Sequence, residues 1–455
     1  MDPVRRRPLI AVLLVVAAVA AGVAAAGEAP PPRRQAAPTP TPTPTATAPR
    51  PPGEALRALD AAAVRVHLRA LARVAREAGG NRAAGTAGDR ASVAYAREVL
   101  QGAGWEVRDE PVRFPFFREH RPPRVRLAGG ARLRPARDAR TMTYSGSGAA
   151  AGRVRAIGVA PGRASDAGCR RGDFRALRRG EIALVQRGTC TLRIKALNAQ
   201  RAGAAAVLIP NDGLPGRTEA IRGTLGSPGV DVPVLALSTS AGTLAARAGR
   251  ARVSVATPSE RRRTVNLVAE AGDGPRVLMA GAHLDSVPDG PGLNDNGSGV
   301  AAVLAVAQAL QGRAPAGARV RLGLWGAEEL GLHGSRAHVR GLDRCERRAL
   351  AGYVNLDMVG TPGRAPGVYG GDETIERALR RALRGRGRDR ITTRSAGRAS
   401  DHAPFAGAGI AVGGVFTGLD RCYHRRCDDL GNVDAPLVAD VAAATGTALL
   451  RLARR

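Results

Sequence analysis

The chain has 455 residues, which is enough for two or three domains, and its hydrophobic fraction of 44% is ordinary for a globular protein. Its formal charge is +30, and because Lys195 is the only lysine, arginine distributed along the sequence carries nearly all of it. A nucleic-acid-binding chain would show a clustered basic stripe with stacking aromatic residues; aromatic residues are only 3% here, so we expect no nucleic-acid partner and only non-specific attraction to anionic surfaces.

The first residues are typical of an export signal. Three arginines ending at Arg7 precede an apolar run from Leu9 to Ala26, and small residues at its end offer A-x-A cleavage sites. We therefore predict a signal peptide at residues 1–29 and a secreted protein. The run is also near the length that spans a bilayer, so an uncleaved membrane anchor is the alternative. Residues 30–55, rich in proline and threonine, predict an extended linker.

Two amphipathic helices and a strand follow. Apolar residues recur at helical spacing over Leu56 to Ala78 and over Ala91 to Gly104, and Trp105 begins a strand. We assign residues 56–124 to the first part of the main domain.

Residues 125–258 have a different pattern and are predicted to form an inserted domain. Glycine-rich turns separate short predicted strands, which are Val154 to Val159, Glu181 to Gln186, Ala205 to Ile209 and Val232 to Leu237. The segment from Ile182 to Cys190, together with Lys195 to Ala206, resembles a protease-associated (PA) domain. This resemblance implies a β-rich interaction or gating lid without catalytic residues.

Predicted strands in the last part of the chain lead into residues of the types that bind metal ions. The strands are Pro275 to Ala280, Val320 to Trp325, Tyr353 to Met358 and Ile410 to Phe416, and the candidate ligands are His283, Asp295, Glu328, Glu329, Asp357 and His424. In α/β folds, ligands bind outside the carboxyl ends of the strands. Zinc prefers imidazole and carboxylate ligands, and carboxylates are rarely buried unless they are paired or coordinate metal. The pattern therefore favours a metal site over a set of solvated acids.

The adjacent pair Glu328 and Glu329 predicts a division of roles. Neighbouring side chains point in different directions, so the two carboxylates cannot bind one ion in the same way. One can coordinate a metal while the other acts as a general base on water, which is what a metal-dependent hydrolase needs. An acidic helix start favoured by the helix dipole is the alternative interpretation.

Six segments resemble the M28 family of zinc aminopeptidases, notably its secreted Streptomyces-type members: AHLDSV, GPGLNDNGSG, LWGAEELGLHGS, NLDMVG, SDHAPF and DRCYHRRCDDL. The resemblance runs from about Leu56 to Phe116 and from about Asn266 to the end. It implies an α/β fold, with a mixed central sheet flanked by helices, a catalytic part at residues 259–455 and two zinc ions. The implied roles are a bridging ligand at Asp295, one metal site completed by His283 and Asp357, the other by Glu329 and His424, a general base at Glu328, an oxyanion donor at Tyr423, and orientation of His283 by Asp285.

One position departs from the family pattern, because Asn296 stands where the family usually has a second aspartate. That position is not a ligand, and a cis peptide is often found there in the family.

Cysteines in an exported chain predict disulfides. The local pairs are Cys169 with Cys190 and Cys422 with Cys427, and the second pair would fix the loop that carries Tyr423 and His424. Cys345 is left over and is expected to be buried in a connection between a helix and a strand.

The expected function is that of a secreted, monomeric aminopeptidase that prefers large apolar first residues. Another exopeptidase of the same type, a carboxypeptidase or a dipeptidase, is one alternative. A receptor-like protein without catalysis is another, but such a protein would lack ligands or the base. The C-terminal segment from Ala435 to Arg455 is predicted to be a core helix.

Overall fold

Two eight-stranded sheets organise the part of the chain that the computed structural model describes, residues 50–395 and 397–454. The predicted signal peptide and most of the predicted linker lie outside these residues. The α-helices of the described chain are α1 Pro52–Arg57, α2 Ala61–Glu77, α3 Ala87–Gly102, α4 Leu192–Arg201, α5 Thr239–Ala248, α6 Gly297–Leu310, α7 His333–Gly341, α8 Arg344–Ala349, α9 Glu373–Arg384, α10 His402–Gly407 and α11 Ala435–Ala453. Its strands are β1 Glu106–Phe117, β2 Arg121–Leu127, β3 Arg132–Leu133, β4 Ala139–Thr141, β5 Gly148–Ile157, β6 Ile182–Val185, β7 Ala206–Pro210, β8 Val234–Leu237, β9 Arg250–Ala256, β10 Ser259–Ala271, β11 Arg276–His283, β12 Ala318–Trp325, β13 Leu350–Leu356, β14 Gly367–Gly370, β15 Thr392–Arg394 and β16 Val412–Phe416.

The first sheet has the order β1-β10-β12-β11-β13-β16-β14-β15. Its four central strands, β12, β11, β13 and β16, run parallel to one another, so their carboxyl ends lie at one edge. Within this group His283 is in register with Trp325, the last residue of β12. Parallel strands buried on both faces have nearly continuous apolar sequences, as β11 has here.

Helices cover the first sheet, and their starts follow from local capping. Asn296 caps α6, which is apolar all round and almost wholly buried. Asp60 caps α2 and separates it from α1, so the single helix predicted from Leu56 to Ala78 is two helices. Among the described helices, α11 is long and apolar enough to cross a membrane, but most of its residues are buried in the protein, as in a core helix.

The second sheet has the order β3-β2-β9-β5-β6-β7-β8-β4 and uses residues 121 to 256. Its strands β5 to β8 are parallel, with α4 and α5 packed on them. A disulfide joins Cys169 to Cys190 beside the buried Lys195, whose ammonium group donates to the carbonyl of Ala167. The predicted fold class, a mixed α/β domain with a second, strand-rich domain inserted into it, is confirmed.

One prediction about the cysteines is wrong. Cys345 is exposed, because it lies in the short helix α8, which buries none of its side chains. Cys422 and Cys427 are bridged as predicted, with their Cα atoms 5.2 Å apart.

Candidate active site

The candidate site lies at the carboxyl edge of the parallel strands. It receives His283 from the end of β11, Glu328 and Glu329 from the segment after β12, and Asp357 from the residue after β13. The loop after β16 contributes Tyr423 and His424, and the loop between β11 and α6 contributes Asp295. All the candidate residues of the sequence therefore meet at one edge, although they span about 140 positions.

Asp295 is placed between the two imidazoles. Its Oδ1 lies 3.3 Å from His283 Nε2, and its Oδ2 lies 3.2 Å from His424 Nε2. Asp357 contacts the first imidazole, with Oδ1 at 3.5 Å from His283 Nε2, and Glu329 contacts the second, with Oε2 at 3.1 Å from His424 Nε2. The cluster is thus divided into two groups that share one carboxylate.

Glu328 stands apart from these closer contacts. Its Oε2 is 3.9 Å from His283 Nε2, which is longer than the other contacts of that imidazole nitrogen. The backbone amides of Glu328 and Glu329 both donate to the carboxylate of Asp285, at 3.0 and 3.3 Å. Asp285 therefore holds the Glu-Glu turn, and its Oδ1 also lies 3.7 Å from His283 Nδ1, whose nearer partner is the backbone carbonyl of Asp285 at 3.1 Å.

The turn that carries Asp295 is held by residues that sequence reasoning missed. Asp428 accepts the backbone amides of Asn294 and Asp295 at 2.9 and 3.0 Å, and so joins this turn to the loop of His424. Arg82, which is fully buried, donates to the carbonyls of Leu284, Pro291 and Gly292 along the same loop. The quoted DRCYHRRCDDL segment contains Asp428, but nothing in the sequence shows that its partner lies 133 residues earlier.

The hydrogen bonds of Asn296 explain how an asparagine serves at the position where the family usually has a second aspartate. Its side-chain oxygen accepts the amide of Gly299 at 2.9 Å, and its Nδ2 donates to the carbonyl of Leu356 at 2.8 Å. An ionised aspartate could cap the helix but could not donate to that carbonyl. The peptide bond between Asp295 and Asn296 is cis.

Asp357 is held by a buried chain of hydrogen bonds. Ser400 Oγ donates to Asp357 Oδ2 at 2.6 Å and accepts from Asn355 Nδ2 at 2.9 Å. Asn355 Oδ1 in turn accepts from the Tyr353 hydroxyl at 2.9 Å, which accepts from the indole of Trp325 at 2.8 Å. All of its members except Tyr353 belong to segments that the sequence singled out, which are LWGAEELGLHGS, NLDMVG and SDHAPF.

Three residues at the site have left-handed backbone conformations although none is glycine. Ala327 precedes Glu328 and has φ of 57°, Met358 follows Asp357 with 49°, and His424 itself has 57°. Such conformations cost free energy and persist where the surroundings impose them, and they are concentrated at functional sites.

The density of charged groups shifts their pKa values. Burial raises the pKa of Glu329 to about 7 and the pKa of Glu328 well above its usual range. Hydrogen bonds to Asp295 and Glu329 raise the pKa of His424 to about 10. Burial would raise the pKa of Asp295 too, but the two imidazoles lower it to about 2. Burial, together with the nearby carboxylates, raises the pKa of Tyr423, so its phenol stays protonated at neutral pH and can donate a hydrogen bond.

A cation fits this set of donor atoms. The donor atoms of His283, Asp295 and Glu329 lie within 4.8 Å of one another, and so do those of His283, Glu328 and Asp357. Oε1 of Glu329 is buried without a hydrogen-bond partner among the described residues, which is costly unless a cation approaches it. Imidazole nitrogen and carboxylate oxygen are the ligands that zinc binds.

Enzymes that hydrolyse with bound metal ions need ligands and a separate base, and the site offers both, so the protein is classed as a metal-dependent hydrolase. The chain belongs to peptidase family M28, whose pattern matches residues 266–448, and residues 154–244 match the PA domain. An aminopeptidase of Pseudomonas aeruginosa is 33% identical over 420 residues, which cover 83% of this chain and 78% of that one.

Solved structures agree with this membership. An aminopeptidase from Aneurinibacillus sp. strain AM-1 is 25% identical, with a TM-score of 0.60 over 88% of this chain and 96% of that one. BSAP, a zinc aminopeptidase from Bacillus subtilis, has the same fold with a TM-score of 0.54, at 24% identity over 86% of this chain and 94% of that one.

Proposed function

We propose that this M28 aminopeptidase acts with two zinc ions and removes the N-terminal residue of peptides. The observation that carries the two-ion proposal is the position of Asp295, whose two oxygens face two different imidazoles. In this proposal His283 and Asp357 complete one metal site, Glu329 and His424 complete the other, and Asp295 bridges them. When bound, the zinc ions would act as Lewis acids on the scissile carbonyl and would acidify water.

The remaining groups of the site supply proton transfer and orientation. Glu328, whose 3.9 Å contact with His283 is longer than those of Asp295 and Asp357, would take a proton from the attacking water and return it to the leaving amine. Tyr423, which stacks on His424 with ring centroids 3.8 Å apart, donates a hydrogen bond to the developing oxyanion. Asp285 orients His283 and, through the two backbone amides, the Glu328–Glu329 turn.

Selectivity for a free N-terminus follows from the negative charge of the site. A substrate α-ammonium group would be attracted by Glu328 and Asp357, whereas an internal peptide bond has no such cation nearby. The preference for apolar first residues is supported by the loop of His424, in which Leu419, Tyr423 and Leu430 are exposed.

The two disulfides bear on where the protein acts. Two disulfides are typical of an oxidising compartment. We propose a secreted monomer, or a protein tethered by an uncleaved N-terminal segment, with the PA domain inserted at residues 125–258 between the peptidase parts at 56–124 and 259–455. A carboxypeptidase or dipeptidase remains the alternative activity, and a receptor-like role is disfavoured because the six candidate ligand and base residues converge.

Hydrolysis of Leu-p-nitroanilide by the purified protein tests the activity. We expect turnover that disappears when a chelator removes the metal and returns when zinc is added, and no turnover of N-acetyl-Leu-p-nitroanilide. A free amine is the only difference between the two substrates. Equal turnover of the blocked substrate would contradict the proposed N-terminal selectivity.

The bridge between Cys422 and Cys427 is expected to support metal binding through the loop that carries His424. Replacing both cysteines by serine should weaken binding of the zinc held by His424 by about tenfold, the scale found when the outer contacts of a ligand are lost. Competition with a chromogenic chelator measures this affinity. The matched control replaces Cys169 and Cys190, in two loops beside the second sheet, and should leave both zinc affinities unchanged. An equal loss in the control would show that the effect is general destabilisation.

A further inference from the structure

One face of the PA-domain sheet is covered with arginine. In β3, β2, β9 and the first half of β5, alternate residues point inward and are buried, among them Leu133, Val125, Val253 and Val255. Arginines occupy most of the outward positions and are exposed: Arg121, Arg124, Arg126, Arg132, Arg153, Arg250 and Arg252. We call these seven residues the arginine face. The outward positions between them are Ala149, Ala151, Ser254 and Ala256, so no acid lies among them.

The strand register places these arginines directly opposite one another. Arg126 of β2 is opposite both Arg132 of β3 and Arg252 of β9, and Arg250 is opposite Arg153 of β5. Cross-strand partners have Cβ atoms about 4.5–5.5 Å apart, and like charges in that position are destabilising. Four strands spaced at about 4.8 Å make the face roughly 15 Å wide. The arginines are therefore within about two Debye lengths of one another at physiological salt.

The arginine face is little neutralised by acids of the fold: Arg153 helps to lower the pKa of Glu181 but forms no ion pair with it. Within residues 50–395 and 397–454, none of its seven members forms an ion pair, whereas Arg155, farther along β5, pairs with Glu181 at 3.0 Å. Arg386 and Arg388 likewise share Asp440, each at 2.8 Å. The even distribution of arginine that the sequence indicates is therefore misleading, because β2 and β9 bring distant positions together. Repulsion that the fold compensates so little points to an external anion.

We propose that the arginine face docks the protein on an anionic phospholipid membrane. One guanidinium group can bind two oxygens of the same phosphate, and a broad β-sheet surface can contact several headgroups at once. The face carries no aromatic side chain on which bases could stack, which disfavours single-stranded nucleic acid. The predicted export signal, with its apolar run from Leu9 to Ala26, would also bring the chain to a membrane. This proposal is independent of the catalytic one.

Vesicle sedimentation tests the docking proposal with the full chain as an expression host secretes it. The probe is vesicles of phosphatidylglycerol with phosphatidylcholine, compared with vesicles of phosphatidylcholine alone. We expect binding only to the anionic vesicles, and weaker binding as salt rises. The variant R126Q/R132Q/R252Q should bind at least about tenfold more weakly, since each basic residue near an anionic surface adds to the affinity.

The matched control is R65Q/R69Q/R90Q, which removes the same charge from exposed positions on α2 and α3. Its affinity for the anionic vesicles should stay within about twofold of that of the wild type. The wild type and both variants should hydrolyse Leu-p-nitroanilide equally. Equal losses in the two variants would overturn the proposal, because net charge alone would then explain binding. Equal binding to neutral vesicles, or binding to soluble polyglutamate without binding to anionic vesicles, would overturn it as well.

Discussion

Replacing Glu328 by glutamine is expected to lower kcat for Leu-p-nitroanilide by at least about 10²-fold while both zinc ions stay bound. The loss follows because the amide cannot take a proton from water, although it has nearly the same shape as the carboxylate. Zinc content by mass spectrometry and turnover should be measured on the same preparation. Tyr423→Phe should cost less than this substitution, since the metal ions also polarise the oxyanion.

The neighbouring glutamate provides the control. Glu329→Gln should lose the zinc ion that Glu329 and His424 would bind together, because Glu329 lies 3.1 Å from the imidazole of His424. Glu328 has no contact that short with either imidazole. The two substitutions must therefore differ in metal content. If Glu328→Gln lost zinc while Glu329→Gln kept both ions, the two roles would be reversed.

Asp295→Ala is expected to remove both zinc ions and to lower kcat/KM by about 10³-fold or more, because bound metal supplies several kcal/mol of transition-state stabilisation. The physical reason is that its two oxygens serve both halves of the site, so one substitution opens both. Metal content after dialysis and turnover with Leu-p-nitroanilide measure the effect.

The control for this substitution is Asp289→Ala, in the same loop. Asp289 is exposed and has only a 3.7 Å surface ion pair with Arg118, which is worth little, so zinc and activity should be kept. Retention of one zinc ion by Asp295→Ala would mean that the two sites do not depend on a shared ligand.

Four of the candidate residues could be predicted from sequence because they stand at or just after the end of an apolar run short enough to be one buried strand. In a parallel sheet the ends of such runs meet at one edge, so His283, Asp357 and the Glu328–Glu329 pair could be grouped without coordinates. The helix α6 was equally predictable, since its alanine, valine and leucine residues follow directly on the capping turn.

Contacts between distant parts of the chain were not predictable. Asp428 and Arg82 carry no local signal, because their partners are the backbone amides and carbonyls of a loop far away in sequence. Arg126 and Arg252 are each ordinary members of an arginine-rich chain, and only the pairing of β2 with β9 makes them neighbours. Cys345 was wrongly predicted to be buried, because the sequence around it does not show that α8 buries none of its side chains.

The number of zinc ions per chain tests the central claim most directly. Mass spectrometry of the purified wild-type protein, with protein concentration from amino-acid analysis, should give two zinc ions per chain, and Glu329→Gln should give one. One zinc ion in the wild type, bound with full activity, would contradict a site in which Asp295 joins two metals.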